Sequence, residues 1–241
     1  MSSIKDLKEN ILLRENLLKV QKEDYEKTKF LGYEVGTFEL YNNYIESLSI
    51  AFKKLVSDKN LKISFNDLAI NKKWLDIIGQ MQDILTAAYP MINDETSDPL
   101  LMGYLYVKFY QSGFGHAISF FRKLAIIINN VYKFNSKKIN FLSDKNCIDI
   151  LIKYDLTYKF ILSNFDNEIR NCIAHEDYII NKDNTIKFMT SEGKIIKKTF
   201  VEIGLMDSYF SFLNNALIFV VTNYELKLLK RHLNDKVSKN K

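Results

Sequence analysis

Arg170 and His175 lie five positions apart in the run Arg170-Asn171-Cys172-Ile173-Ala174-His175. The pair joins a permanent cation to the side chain that titrates nearest neutral pH. Arginine can hold a phosphate through two parallel hydrogen bonds, and histidine can take up and return a proton. Together they suit phosphodiester chemistry that requires no metal.

The residues leading into the pair say how it is carried. Residues 161–174 contain neither proline nor glycine, and Ile161, Phe165, Ile169, Cys172 and Ile173 recur at helical spacing. The spacing predicts one amphipathic helix. On it, Asn164, Glu168, Asn171 and His175 fall at i, i+4, i+7 and i+11 and form a polar stripe beside the apolar face. Arg170 is the exception, about 140° round the helix from His175. Either the helix ends or bends before His175, or the stripe meets its own copy across a two-fold axis, where an isologous interface gathers the same residues from both chains. The expectation is a homodimer, with some bending as well.

The run Glu168 to Tyr178, "EIRNCIAHEDY", resembles the signature of the HEPN superfamily: an arginine, often followed by asparagine, then four to six residues and a histidine at the end of a bundle helix. Members are commonly metal-independent endoribonucleases that act as dimers with a composite active site. Many are toxins or abortive-infection factors in microbial defence, and some are non-catalytic. The resemblance implies Arg170 and His175 as the catalytic pair, Asn171 as a supporting polar residue, and Glu168 as an acidic group upstream on the same helix. It also implies an RNA substrate, a homodimer, and an antitoxin or other defence-system protein as partner. In one subgroup of toxins a tyrosine stands two positions after the histidine. Here Tyr178 comes three positions after, and is carried over only as a candidate substrate contact.

Composition is compatible with that reading without selecting it. The chain has 241 residues, enough for one large domain or for a domain with an extension. Two prolines and eight glycines leave long stretches free to be helical. A formal charge of +5 suggests mild attraction to polyanions. Two cysteines cannot make a disulfide framework, and the charged start "MSSIKDLKEN" shows no secretory signal. The most apolar windows, residues 100–128 and 209–229, are interrupted by Lys108, Gln111, His116, Arg122, Asn214 and Asn215 and do not read as membrane spans. The expectation is a cytoplasmic protein with no membrane segment.

The elements follow from pattern. Residues 4–29 read as a charged helix with Ile4, Leu7, Ile11 and Leu18 as its seam, residues 37–56 as a second helix, and residues 71–89 as a third containing Trp74. The polar segment 93–99 is the best candidate boundary. Residues 100–134 predict a long or kinked helix interrupted by "SGFG", and residues 144–164 another helical region. The period then changes: residues 177–203 alternate between turn signals and predict a small antiparallel meander. A final helix is expected over 206–232, with a frayed tail at 235–241. The fold expected is mainly α: a helical bundle of the HEPN type over 96–234, an N-terminal helical region over 1–95 that could belong to the same domain, and the β-meander inserted before the last helix.

Lys194, Lys197 and Lys198 on the predicted meander are candidate RNA contacts, although lysines that protect an edge strand explain them equally well. No cysteine or histidine has zinc-site spacing, no phosphate loop of the Walker type is present, and neither metal nor cofactor is expected. His116 reads as a packed or hydrogen-bonded residue and His232 as a solvated one. The rival reading is a non-catalytic helical module in which Arg170 and His175 serve a dimer contact or bind a nucleotide or partner.

Overall fold

The structure is a computed structural model that describes residues 4–30, 35–61, 63, 98–136 and 142–239. Among the described residues there are seven helices and three strands: α1 (Ile4–Phe30), α2 (Val35–Ser57), α3 (Pro99–Tyr132), α4 (Asp144–Tyr154), α5 (Thr157–Ile161), α6 (Asn167–Ala174), β1 (Tyr178–Asn181), β2 (Thr185–Met189), β3 (Ile195–Thr199) and α7 (Phe200–Lys239). The protein is therefore mainly helical, with a small antiparallel sheet before the last helix. The helix expected over 71–89, with Trp74, lies outside the described residues, as does the boundary segment up to residue 97.

The chain divides into two compact units, residues 1–70 with 215–241 and residues 71–214. In the first, Leu7 and Ile11 of α1 are buried, as are Tyr44, Leu48, Phe52 and Leu55 of α2 and Leu217 and Val221 of α7. Arg14 on α1 donates to Glu225 on α7 at 2.7 Å, an ion pair whose carboxylate is almost wholly covered.

The second unit is organised by α3, which starts where the sequence stops it from starting earlier. Asp98 caps it by accepting from the Leu100 amide, and Pro99, which has no amide proton to satisfy, takes the first turn. The "SGFG" segment does not break this helix. Gly113 is there because α7 comes close: a Cβ at that position would sit 2.9 Å from Cβ of Phe210. Along the buried face, Tyr110, Phe114 and Phe121 meet Phe165 and Phe210, with Phe165 centred 5.0 Å from both Phe114 and Phe210.

Phe165 also sits at a break that the apolar spacing does not predict. Residues 161–174 are not one helix. α5 ends at Ile161, and Asp166 starts α6 afresh by accepting from the amides of Glu168 and Ile169. The apolar spacing runs on across the break because Phe165 reaches the aromatic core from the turn between helices. Asn164 therefore does not share a helix with Glu168, Asn171 and His175. The helical region expected over 144–164 is likewise two helices, the first begun by a Ser143–Asn146 capping box.

The meander pairs in the order β1-β2-β3, with Tyr178 opposite Phe188 and Phe188 opposite Ile196. It is shorter than expected at its end. The predicted alternation continued to residue 203, but α7 begins at Phe200 rather than 206, because Thr199 and Glu202 form a reciprocal cap. The Glu202 amide donates to the Thr199 hydroxyl at 3.1 Å, and the Thr199 amide to the Glu202 carboxylate at 2.8 Å. The helix also runs past residue 232, through most of the segment expected to fray, to Lys239. By length and composition alone α7 could cross a membrane. Its most apolar window is 44% buried in the protein, as a core helix would also be, so this is weak evidence for a membrane.

Candidate functional site

The site is built around α6, whose eight residues present Glu168, Arg170 and Asn171. His175 is its C-cap. The helix ends in a Schellman arrangement: the Asp177 amide donates to the Cys172 carbonyl at 2.8 Å and the Glu176 amide to Ile173 at 3.2 Å, with Glu176 at φ 60°. That turn carries the chain directly into β1. The other face of α6 is anchored by Ile169, Cys172 and Ile173, all buried.

Arg170, Asn171, Glu168 and His175 line one open depression of about 530 Å³. Its other walls are Arg122 of α3, Ser143, Asp144 and Lys145 at the start of α4, Asn167, Cys172, Asp177, and residues 189–192 at the β2–β3 turn. The angular conflict that the sequence posed for a single chain is thus reduced, since both members of the pair border one groove. His175 is exposed there.

Arg170 is held at both of its terminal nitrogens. One donates to Oδ1 of Asn171 at 3.1 Å, and the other forms an ion pair with Oδ2 of Asp144 at 3.4 Å. Asp144 is only 6% exposed, and its other oxygen accepts from Arg122. Arg122 also donates to the Leu142 carbonyl at 3.2 Å. A carboxylate this covered requires paired charge, and two guanidinium groups supply it. Neither Arg122 nor Asp144 was singled out from the sequence. The available signal was Arg122, beside Lys123, within the otherwise apolar run "SFFRKLAIII", and sequence spacing alone cannot locate its partner.

The structure separates the remaining candidates. Glu168 and Lys194 pair at 3.0 Å, both well exposed, and fasten the β2–β3 turn to α6. This pair raises the Lys194 pKa through the hydrogen bond and charge of Glu168. Lys197 pairs with Asp183 at 3.3 Å and Lys198 with Glu202 at 3.1 Å, so the three lysines do not form a bare basic stripe. Tyr178 packs on Phe188 in the sheet. None of Tyr178, Lys194, Lys197 and Lys198 is among the residues lining the groove.

The groove lining carries three cations, Arg122, Lys145 and Arg170, against four carboxylates, Asp144, Glu168, Asp177 and Glu192. Its positive charge is therefore local, centred on the two arginines, rather than a general attraction for polyanions. Cys172 is no nucleophile in waiting. Burial pushes its thiol pKa up, and its sulfur donates to the Met189 carbonyl at 3.3 Å. His116 is half-buried, and burial lowers its pKa. Among the described residues, no three His, Cys, Asp or Glu side chains are grouped to hold a metal ion.

No family model, curated protein or solved structure matches the chain. The likeness to the HEPN signature accordingly rests on the sequence of residues 168–178 alone.

Proposed function

We propose that the protein is a metal-independent endoribonuclease in which Arg170 and His175 act on one phosphodiester. The observation that carries this reading is that both side chains line the same groove, with Arg170 fixed by Asp144 and Asn171 and His175 exposed. The 2′-hydroxyl of RNA attacks the adjacent phosphorus, the bond from phosphorus to the 5′-oxygen breaks, and the products are a 2′,3′-cyclic phosphate and a 5′-hydroxyl. His175 takes the proton from the nucleophile or gives one to the departing oxygen. Arg170 neutralises charge gathering on the non-bridging oxygens. DNA, lacking the nucleophile, is spared.

The proposal extends to a homodimer with a composite site, in which two copies of α6 meet about a two-fold axis. A role as a toxin or antiphage-defence effector in the cytoplasm, held in check by an antitoxin or other defence protein, follows the same resemblance. The Arg170–Asp144 ion pair favours a second reading, a non-catalytic module in which Arg170 is structural.

The test incubates the purified chain with mixed RNA in excess EDTA beside the His175→Ala variant and an equal mixture of Arg170→Ala and His175→Ala chains. Fragments ending in 2′,3′-cyclic phosphate, absent with His175→Ala and partly restored by the mixture, support the nuclease and its dimer. Cleavage that needs magnesium or survives loss of His175 refutes the mechanism. Cleavage that depends on His175 but is not restored by mixing refutes the composite dimer alone.

A further inference from the structure

We propose that Arg122 is a second phosphate-holding residue of the groove, and that the buried Asp144 sets Arg122 and Arg170 side by side as one anion clamp. The two guanidinium groups meet opposite oxygens of a single carboxylate that is 6% exposed, while their own side chains are 42% and 38% exposed. The carboxylate is thus the covered part of the cluster, and the cations are the part that faces solvent. A guanidinium carries five N–H donors. The contacts above engage two nitrogens of Arg122, with Leu142 and Asp144, and two of Arg170, with Asn171 and Asp144, so donors remain on both for a ligand.

Charge points the same way. Two cations on one carboxylate leave a net single positive charge where they meet, in a groove whose lining is otherwise weighted toward acids. Such a cluster favours one anion at one place. Planar guanidinium groups match a phosphate's oxygens through paired hydrogen bonds, which identifies the ligand class as a phosphate or phosphodiester. Arg122 comes from α3, Asp144 from α4 and Arg170 from α6, so the clamp joins three helices of one unit. Asp144 lies beneath the arginines and acts through them, which makes it a positioning residue.

The choice of RNA as the ligand rests on the ribonuclease reading, whereas the anion site itself does not. His175→Ala protein, which binds without turning over, is titrated with end-labelled single-stranded RNA across salt concentrations, alone and with Arg122→Ala or Arg122→Lys added. Each phosphate contact on a single strand contributes a slope of roughly 0.7 in log affinity against log salt. Arg122→Ala is expected to lower the slope by about that amount, and Arg122→Lys to retain it. An unchanged slope in folded Arg122→Ala protein overturns the clamp.

Inorganic phosphate provides an arm independent of RNA. It is expected to raise the Tm of the unmodified chain more than that of Arg122→Ala, and an equal rise overturns the clamp. In the otherwise unmodified chain, Asp144→Asn is expected to bind RNA at least as tightly, because a groove carboxylate is gone, while cleavage slows at least tenfold. Parallel loss of binding and rate, or loss of neither, overturns the positioning role. A chain that binds phosphate through Arg122 and never cleaves RNA refutes the nuclease and leaves the clamp. A chain that cleaves with Arg122 immaterial to slope and Tm refutes the clamp and leaves the nuclease.

Discussion

Arg170 lies 3.4 Å from Asp144, a carboxylate at the start of another helix, and that ion pair fixes the direction of the one guanidinium that the sequence marks for chemistry. The Asn171 side chain holds its other terminal nitrogen at 3.1 Å. The arginine is oriented before any ligand arrives, and preorganised charge is what stabilises a phosphoryl transition state.

Arg170→Lys tests whether that orientation matters. Lysine keeps the charge but not the planar fork that reaches Asn171 and Asp144 together. Because Asp144 retains Arg122, the Tm should change little, while the RNA cleavage rate should fall on the order of a hundredfold. Steady-state rates beside thermal unfolding curves measure both; a rate near the original contradicts the account.

Two glycines of α3 should respond to alanine with opposite signs. A Cβ at Gly103 would run into Cγ2 of Ile180 and lie 2.8 Å from Cζ of Phe200, so Gly103→Ala forces apart the helix and β1 and should destabilise by about 1–3 kcal/mol. A Cβ at Gly115 would meet nothing within 4 Å among the described residues beyond its chain neighbours and the helix's own backbone, and Gly115→Ala should gain up to ~1 kcal/mol from helix propensity. Urea unfolding of the two variants gives the comparison.

Glu176 adopts φ 60° as the C′ residue after α6, where an L-residue other than Asn or Asp is strained. Glu176→Gly should relieve that strain and stabilise by about 1 kcal/mol, within the cost assigned to a left-handed L-residue. His175 keeps its C-cap position, so cleavage should persist. A loss of stability by urea unfolding contradicts the assigned turn.

Asp207 is half-buried on α7, its carboxylate 3.1 Å from where a Cβ on Gly113 would sit, and burial pushes its pKa up to about 7. A raised acid binds its proton more tightly in the folded chain than in the unfolded one. Its contribution is therefore fully present below about pH 4 and is lost as pH rises through about 7. Asp207→Asn should flatten this fall, so the variant gains on the parent at pH 8 relative to pH 5. Unfolding free energies at the two pH values decide it.

How much of this was legible in the sequence depends on the range of the interactions. Local signals worked: the period change after Asp177 marked the meander, and the run from Arg170 to His175 marked residues that share a groove. The Thr199–Glu202 cap was also local but lay hidden behind an alternating pattern that ran on into the helix. The break at Phe165 escaped because its spacing fits a continuous helix, and only the packing of Phe114 and Phe210 around it shows otherwise. Asp144 and Arg122 escaped for the same reason. Their pairing is tertiary, and an acid at the first turn of a helix is ordinarily there for the dipole.

The central claim is that Arg170 and His175 act together on one phosphodiester. It is tested most directly by single-turnover RNA cleavage in EDTA for the parent chain, Arg170→Ala, His175→Ala and the double variant. Residues that act as a unit are strongly non-additive. The account predicts that each single change removes on the order of a hundredfold or more, and that the double variant is no slower than the slower single one. Losses that multiply in the double variant, or a parent chain that cleaves no RNA, would contradict it.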